Sequence, residues 1–442
     1  MGLARLIGLT PRAANGSSRD ASEAVRNALS LCRELLSEPG DTLELAQKAM
    51  DAYCTLSMAA RTEFYDAVAT EFSPDPEEVG RSADAYRKEP SAAHLARVLR
   101  TAEPARQELF RRLNLAPGGT RALIEMRREL LSASSQHQEW GAIEADLAHL
   151  LASWFNRAFL VLRRVDWHTP AIILEKLIAY EAVHQIQGWR DLRRRLEADR
   201  RCYAFFHPAL PDEPLIFVEV ALVEEMSGQV WPLLDPDSPV VHSNSPKCAL
   251  FYSITNCHDG LRGVPFGTFL IRTVADELRR EFPRLRTVAT LSPLSGFVGW
   301  LTARARHHEH GPQDSALTAL LDKLETPRWF TDKQLAAELQ NDLVPLCAYY
   351  LLHAKHGKDP LDPVARFHLR NGACLDRIHW LGDTSAAGLQ RSAGLTANYV
   401  YRLSELERNH RLYSSEHRIR ASYAVERLAR QCFLSRAQPG RR

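Results

Sequence analysis

A serine and a histidine are two side chains in this chain of 442 residues whose types could do chemistry. Ser292 follows the strand-like run Thr287-Val-Ala-Thr-Leu291 and precedes Pro293 and Ser295-Gly296-Phe297. A hydroxyl at such a strand end can donate to an oxyanion or a carboxylate, and needs a nearby histidine to do more. No G-x-S-x-G elbow surrounds it, so an acyl-enzyme hydrolase is poorly supported. His368 lies in Phe367-His-Leu-Arg-Asn-Gly-Ala373, which reads as a turn, where a histidine is ordinarily solvated or capping. Tyr399 and Tyr401 stand two apart in Ala397-Asn-Tyr-Val-Tyr401 and read as packing on one strand face. Taken one at a time, each of these residues has an ordinary structural reading.

A glycine-bearing turn supplies the second kind of chemistry. His258-Asp-Gly-Leu-Arg-Gly-Val-Pro-Phe-Gly-Thr268 runs straight into an amphipathic helical stretch. Backbone N–H groups at the start of a helix point outward at its positive end and suit a phosphate. The turn lacks the Gly-Lys-Ser/Thr of a Walker loop and is not the dinucleotide G-x-G-x-x-G. Glycines at 260, 263 and 267 fit a diphosphate held by successive amides, as in acyltransferases that bind coenzyme A, and Arg262 adds charge. The alternative is an ordinary strand-to-helix turn. Phosphate cradle, helix, strand and serine in that order suggest a nucleotide-tailed substrate delivered to a reactive group.

Other clusters are weaker. His307-His308-Glu309-His310 lacks the i, i+4 spacing of a zinc-binding helix and reads as a solvated loop, so no metal site is expected. Arg193-Arg194-Arg195 reads as an exposed helix face, and His184 as structural.

Around these residues the pattern changes once. From about Asp20 to Ala152 it is helical: Val25, Leu29, Cys32 and Leu36 form one stripe, Phe64, Val68 and Phe72 a second, Leu95, Val98 and Leu99 a third. Thr120 reads as the N-cap of a further helix carrying Leu123, Met126 and Leu130. After Trp154 come a helix from Ile172 to Val183 and strands at Cys202–Phe206, Leu215–Leu222, Ala249–Ile254 and Thr287–Leu291. A helix over 268–280 separates the last two. A helical stretch from Pro312 to about His356 reads as an insertion or lid. The expected architecture is α+β: a helical bundle over 1–152 and a mixed α/β domain over 153–442.

Bulk properties exclude several classes. The 56 basic and 54 acidic residues leave a net charge of +2, no electrostatic basis for nucleic acid as the main partner. Eight cysteines form no Cys-x-x-Cys pair, so reduced thiols are expected. No apolar run reaches the roughly 18 residues of a membrane span. The first 19 residues contain arginines and serines but no acid; the expected location is the bacterial cytoplasm, with the mitochondrial matrix as the alternative.

From about 150 to 405 the chain resembles the malonyl-CoA decarboxylase family. The matching segments include Trp154-Phe155-Asn156, Glu181-Ala-Val-His184, Phe251-Tyr-Ser-Ile254, Gly260-Leu-x-Gly-Val264, Gly267-Thr-Phe-Leu-Ile271, Leu291-Ser-Pro-x-x-Gly-Phe297, Phe367-His-Leu-x-Asn-Gly-Ala373 and Ala397-Asn-Tyr399 with Tyr401. The resemblance implies a catalytic domain of the N-acetyltransferase (GNAT) fold behind a helical domain. It also implies assembly as a homotetramer, malonyl-CoA as substrate and acetyl-CoA as product, and no metal or organic cofactor. It maps catalysis onto Ser292 and His368 with Tyr401 in support, and the coenzyme A loop onto Arg262, Gly263, Val264, Pro265, Phe266, Gly267 and Thr268. Animal members often carry glutamine at the position of Arg262. The GNAT fold alone would also permit an acyl-CoA N-acyltransferase, and a non-catalytic acyl-CoA sensor is the third reading.

Overall fold

Side-chain caps and apolar periodicity account for the helices that open the chain. The computed structural model describes residues 18–40, 42–241, 245–264, 270–306 and 312–436. Eight helices come first: α1 (Ser18–Ser37), α2 (Leu43–Cys54), α3 (Met58–Glu71), α4 (Pro76–Lys88), α5 (Ala92–Ala102), α6 (Ala105–Leu113), α7 (Gly119–Ala133) and α8 (Gly141–Trp154). Ser57, Asp75 and Ser91 cap α3, α4 and α5 by accepting a backbone N–H in the first turn. Val25, Leu29, Cys32, Phe64, Val68, Phe72, Leu123, Met126 and Leu130 meet in one core, as their spacing predicts.

One local expectation fails in this region, and another is met by a helix that stays unburied. Thr120 lies inside α7, whose N-cap is Gly118; its hydroxyl bonds Asn114 Oδ1 at 2.8 Å instead of capping. The Leu95–Val98–Leu99 stripe belongs to an amphipathic helix, α5, but no residue of α5 is buried, and Leu99 is 65% exposed. Periodicity reports that a helix has an apolar face, not what covers it.

The chain divides into two compact units. The first is Met1–Leu160 with His207–Pro211 and His258–Pro265; the second is Val161–Phe206, Asp212–Cys257 and Phe266–Arg442. In the second, the elements run β1 (Val161–Val165), α9 (Ala171–Tyr180), α10 (Trp189–Arg195), β2 (Arg200–Phe206), β3 (Ile216–Val223), α11 (Trp231–Leu234), β4 (Cys248–Asn256), α12 (Leu270–Glu281) and β5 (Thr287–Pro293). They continue with α13 (Phe297–Arg306), α14 (Pro312–Leu324), α15 (Lys333–His353), β6 (Lys355–His356), β7 (Asp359–Pro360), α16 (Pro363–Arg370), β8 (Cys374–His379), α17 (Ala386–Ser392), β9 (Thr396–Val400), α18 (Leu406–Glu416), α19 (Tyr423–Gln431) and α20 (Phe433–Arg436).

Seven strands form one sheet in the order β1-β2-β3-β4-β5-β9-β8. Every neighbouring pair is antiparallel except β4 and β5, which α12 joins by the crossover that a parallel pair requires. A helical unit followed by a mixed sheet with a single internal parallel pair is the α+β, GNAT-type architecture that the resemblance implies. No helix among the described residues is long and apolar enough to cross a membrane.

Three further readings are corrected. The helix read over 172–183 stops at Tyr180. The stretch beyond Pro312 is not a lid, because α15 buries Leu339, Leu343, Leu346, Cys347 and Leu351 in the interior of the second unit. Of Arg193-Arg194-Arg195 only Arg193 is exposed. Arg194 forms a two-pronged pair with Asp199 at 2.7 and 3.1 Å, and Arg195 reaches Glu219 at 2.7 Å and Asp191 at 2.9 Å. Their carboxylate partners, Glu219 on β3, Asp191 on α10 itself and Asp199 just before β2, turn an apparently solvated face into an internal one.

Candidate active site

Strand β5 delivers Ser292, and its pleat decides what accompanies it. Residues two apart share a face, so Thr290 and Ser292 point the same way. Antiparallel β9 sets Tyr399 opposite Thr290 and Ala397 opposite Ser292, and the Tyr401 N–H continues the ladder by donating to the Val288 carbonyl at 2.8 Å. Directly opposed residues project to one face, which therefore carries Thr290, Ser292, Tyr399 and Tyr401 together.

Helix α16 brings the histidine to that face. Asp362 caps it through the Ala365 N–H at 2.8 Å, and Pro363 occupies the first turn. His368 thus sits in the last turn of a helix, not in the turn read from Asn371-Gly372, and it is buried. Tyr350 also donates to Asp362, at 3.3 Å, which ties the cap to α15. Burial holds the Asp362 carboxyl above its ordinary value, although its hydrogen bonds oppose that.

The result is one chain of polar atoms. Thr290 Oγ1 lies 2.9 Å from Ser292 Oγ, Ser292 Oγ 3.0 Å from His368 Nε2, and His368 Nδ1 2.8 Å from the Tyr401 hydroxyl. The His368 ring stacks on Tyr399 with centroids 4.6 Å apart. Ser292, His368 and Tyr401 are 5%, 3% and 2% exposed, so the chain is shielded from bulk water. Burial alone drives the imidazole down to about 3, so it is neutral at pH 7. Burial also holds the Tyr401 phenol well above its ordinary range, so it too is neutral. Tyr401 borders a cleft of about 560 Å³ that Arg272, Arg370, His410 and Arg411 line together with Glu407.

The structure therefore joins Ser292, His368 and Tyr401. It assigns Tyr399 and Tyr401 more than the packing read from their spacing, since both contact the imidazole. Sequence reasoning missed Thr290, although a hydroxyl two residues before a candidate serine on a strand was a legible sign. It also missed Asp362, whose signature was the Asp-Pro pair at a helix start.

The glycine turn is described only as far as Val264. Gly260 is a packing glycine, because a Cβ there would lie 2.0 Å from the Ile124 carbonyl oxygen. Its own carbonyl accepts from Arg127 at 2.7 Å, which fixes the 3₁₀ turn Asp259–Leu261 against α7. Gly263 takes φ +84°, a left-handed conformation that glycine accommodates without strain, with open space where a Cβ would be. Arg262 is exposed and pairs with exposed Asp259 at 3.5 Å, and Val264 is buried. Pro265, Phe266, Gly267 and Thr268 lie outside the described residues, as does the His307–His310 cluster.

His184 is buried. Burial lowers its pKa, while Asp383 and Glu181 oppose that. Asp66, His137 and Glu139 bring ligand atoms within 4.8 Å of one another. They already engage their neighbours: Trp140 donates to Asp66, and His137 bonds Glu139 and stacks on Trp140.

Residues 158–438 match the family described as malonyl-CoA decarboxylase C-terminal domain, and 72–155 its N-terminal domain. The mitochondrial malonyl-CoA decarboxylase of Mus musculus is 35% identical over 403 residues, covering 84% of this chain and 82% of the relative. Crystal structures of malonyl-CoA decarboxylase from Rhodopseudomonas palustris and Agrobacterium vitis are similar, at 45% and 42% identity and TM-scores of 0.86 and 0.85. Each comparison covers 91% of this chain and 99% of the solved one. The corresponding protein of Cupriavidus metallidurans shares 33% identity with a TM-score of 0.70, over 93% of this chain and all of its own.

Proposed function

The chain belongs to the malonyl-CoA decarboxylase family, and on that premise we propose that it converts malonyl-CoA to acetyl-CoA and CO₂ at Ser292, His368 and Tyr401. The observation that carries the site is the unbroken 3.0 and 2.8 Å contact of one imidazole with Ser292 and Tyr401, shielded from water and bordering a cleft.

Loss of CO₂ breaks the bond between Cα and the carboxylate, and its electron pair passes into the thioester as an enolate. The thioester carbonyl is itself the electron sink, so the reaction calls for neither a metal nor an organic cofactor. Donors aimed at the enolate oxygen act on charge that exists only in the transition state, the form of stabilisation that raises turnover. A proton must then reach Cα. The malonyl carboxylate supplies the anion that the buried imidazole lacks, and an opposite charge within about 4–6 Å raises an imidazole pKa. His368 then takes a proton from solvent and supplies the one that reaches Cα by way of Ser292, which lies 3.0 Å from Nε2, and this balances the proton consumed at each turnover. Ser292 donates to the malonyl group or to His368, and Tyr401 orients the ring.

The segment Arg262, Gly263, Val264, Pro265, Phe266, Gly267 and Thr268 is assigned to the coenzyme A diphosphate, supported by the exposed Arg262 and the glycine conformation at 263. Association as a homotetramer belongs to the same reading, with the uncovered apolar face of α5 in its favour. So does a cytoplasmic location, with the mitochondrial matrix as the alternative.

Purified protein given malonyl-CoA should form acetyl-CoA and CO₂ in equal amounts, with or without EDTA. Ser292→Ala should lower kcat on the order of 10²-fold. Release of free coenzyme A that depends on an amine acceptor would replace decarboxylation with acyl transfer, and binding without turnover would leave only a sensor.

A further inference from the structure

Thr290 is the one member of the polar chain to which the mechanism assigns no task. Its side chain is 1% exposed. Among the described residues its hydroxyl has two partners: the Tyr399 N–H, which donates to it at 3.3 Å, and Ser292 Oγ at 2.9 Å. A hydroxyl has one proton to give and two lone pairs with which to accept. The Tyr399 N–H can only donate, so among the described residues Ser292 Oγ is the one acceptor for the Thr290 proton. A buried donor without an acceptor is strongly disfavoured.

That single assignment propagates. If Thr290 donates to Ser292, Ser292 donates to His368 Nε2 in the empty site. The neutral imidazole then carries its proton on Nδ1 and donates it to the Tyr401 oxygen, 2.8 Å away. The Tyr401 proton is left for the cleft that this residue borders. The reverse order, with Tyr401 donating to Nδ1 and Nε2 to Ser292, makes Ser292 Oγ accept from both Thr290 and His368 and leaves the buried Ser292 proton without an acceptor among the described residues, because Ser292, unlike Tyr401, does not line the cleft.

We propose that Thr290 is a positioning residue that sets the direction of the hydrogen-bond chain and so aims the Ser292 proton, at His368 in the empty site and at the substrate once the imidazole is charged. The second half follows from the same count. A charged imidazole donates from Nε2 as well, so Ser292 Oγ accepts from both Thr290 and His368. Its lone pairs are then occupied, and its own proton must turn toward the bound malonyl group. Without the Thr290 hydroxyl one lone pair of Ser292 is no longer claimed, the serine hydroxyl is free to rotate, and its proton is aimed at the substrate for only part of the time.

The kinetic part rests on the decarboxylase reading; the tautomer does not. Nitrogen-15 NMR of histidine-labelled protein without ligand should show His368 protonated on Nδ1, identified by the signal missing from His368→Asn. A wild-type resonance protonated on Nε2 overturns the proposal whatever the protein catalyses. Thr290→Val removes the hydroxyl at nearly constant volume. It should lower kcat about tenfold to a hundredfold, leave KM within about twofold, and mix the two tautomers. Thr290→Ser should restore both kcat and the Nδ1 signal. Unaltered kcat in the valine variant, or a serine variant as slow as the valine one, refutes the role. If the valine variant does not fold, the wild-type tautomer and the serine variant decide between the same outcomes. If wild-type protein does not turn over malonyl-CoA, the decarboxylase reading falls and the tautomer still tests Thr290.

Discussion

Beside β2 and β3, Arg195 is enclosed by Glu219, Asp191 and the His184 carbonyl, whereas beside β5 and β9 His368 is enclosed by hydroxyls and a tyrosine ring. Both side chains are essentially inaccessible to water. Burial would lower the Arg195 pKa, but Glu219 and Asp191 more than offset it and leave it raised. Burial pushes the Glu219 carboxyl up to about 7, against the pull of Arg195. That cluster carries its own counter-charges. At His368 burial acts with nothing against it, and the imidazole stays neutral. One cluster is complete when the chain folds; the other has no carboxylate beside its imidazole among the described residues, and on the proposed function the malonyl carboxylate would supply one. A fold can therefore use the same desolvation either to lock charges together or to hold a place for a charge that arrives with the substrate.

The largest expected effect lies on the incomplete side. His368→Asn should lower kcat for acetyl-CoA formation by about 10²–10⁴-fold, with little change in the urea unfolding midpoint at pH 7. A variant that keeps wild-type turnover would erase the distinction between the clusters. On the complete side the effect should be on stability. Arg195→Met leaves Glu219 and Asp191 without their cation and should cost about 3–5 kcal/mol in urea unfolding, while Arg195→Met with Glu219→Gln recovers part of the loss. If the single variant unfolds like the wild type, the ionic cluster contributes nothing that breaking it can reveal.

The smallest effect sharpens the contrast through pH. An unfolded chain protonates this imidazole near 6.5 and the folded protein only near 3, so between those values the unfolded state binds more protons. The contribution of His368 to stability is therefore complete above pH 6.5 and is lost as pH falls through that interval. Between pH 7 and pH 5 the loss amounts to about 2 kcal/mol. Unfolding midpoints of wild type and His368→Asn should diverge over that range in the variant's favour. Parallel curves would mean that the ring is not held neutral.

Much of this architecture was legible. The helical first region, strands β2 to β5 and the helix between the last two follow from apolar period, turn residues and caps, which act over a few neighbours. The choice of Ser292, His368 and Tyr401 came from the family resemblance, because their local patterns pointed no further than strand end, turn and packing. Arg194 and Arg195 were misread for the opposite reason: three consecutive arginines look solvated, and Glu219 lies 24 residues beyond Arg195 in the chain.

The sequence by itself determined the kinds of element, their order and the side chains able to act, since those depend on local sterics, periodicity and chemical type. Only the tertiary structure decided which of them meet. The register of β5 against β9 puts Thr290 and Ser292 on one face with Tyr399 and Tyr401, and the capped helix α16 brings His368 down onto it. Hydrogen bonds and desolvation depend on distances of about 3 Å between residues far apart in the chain, and no local pattern encodes those distances.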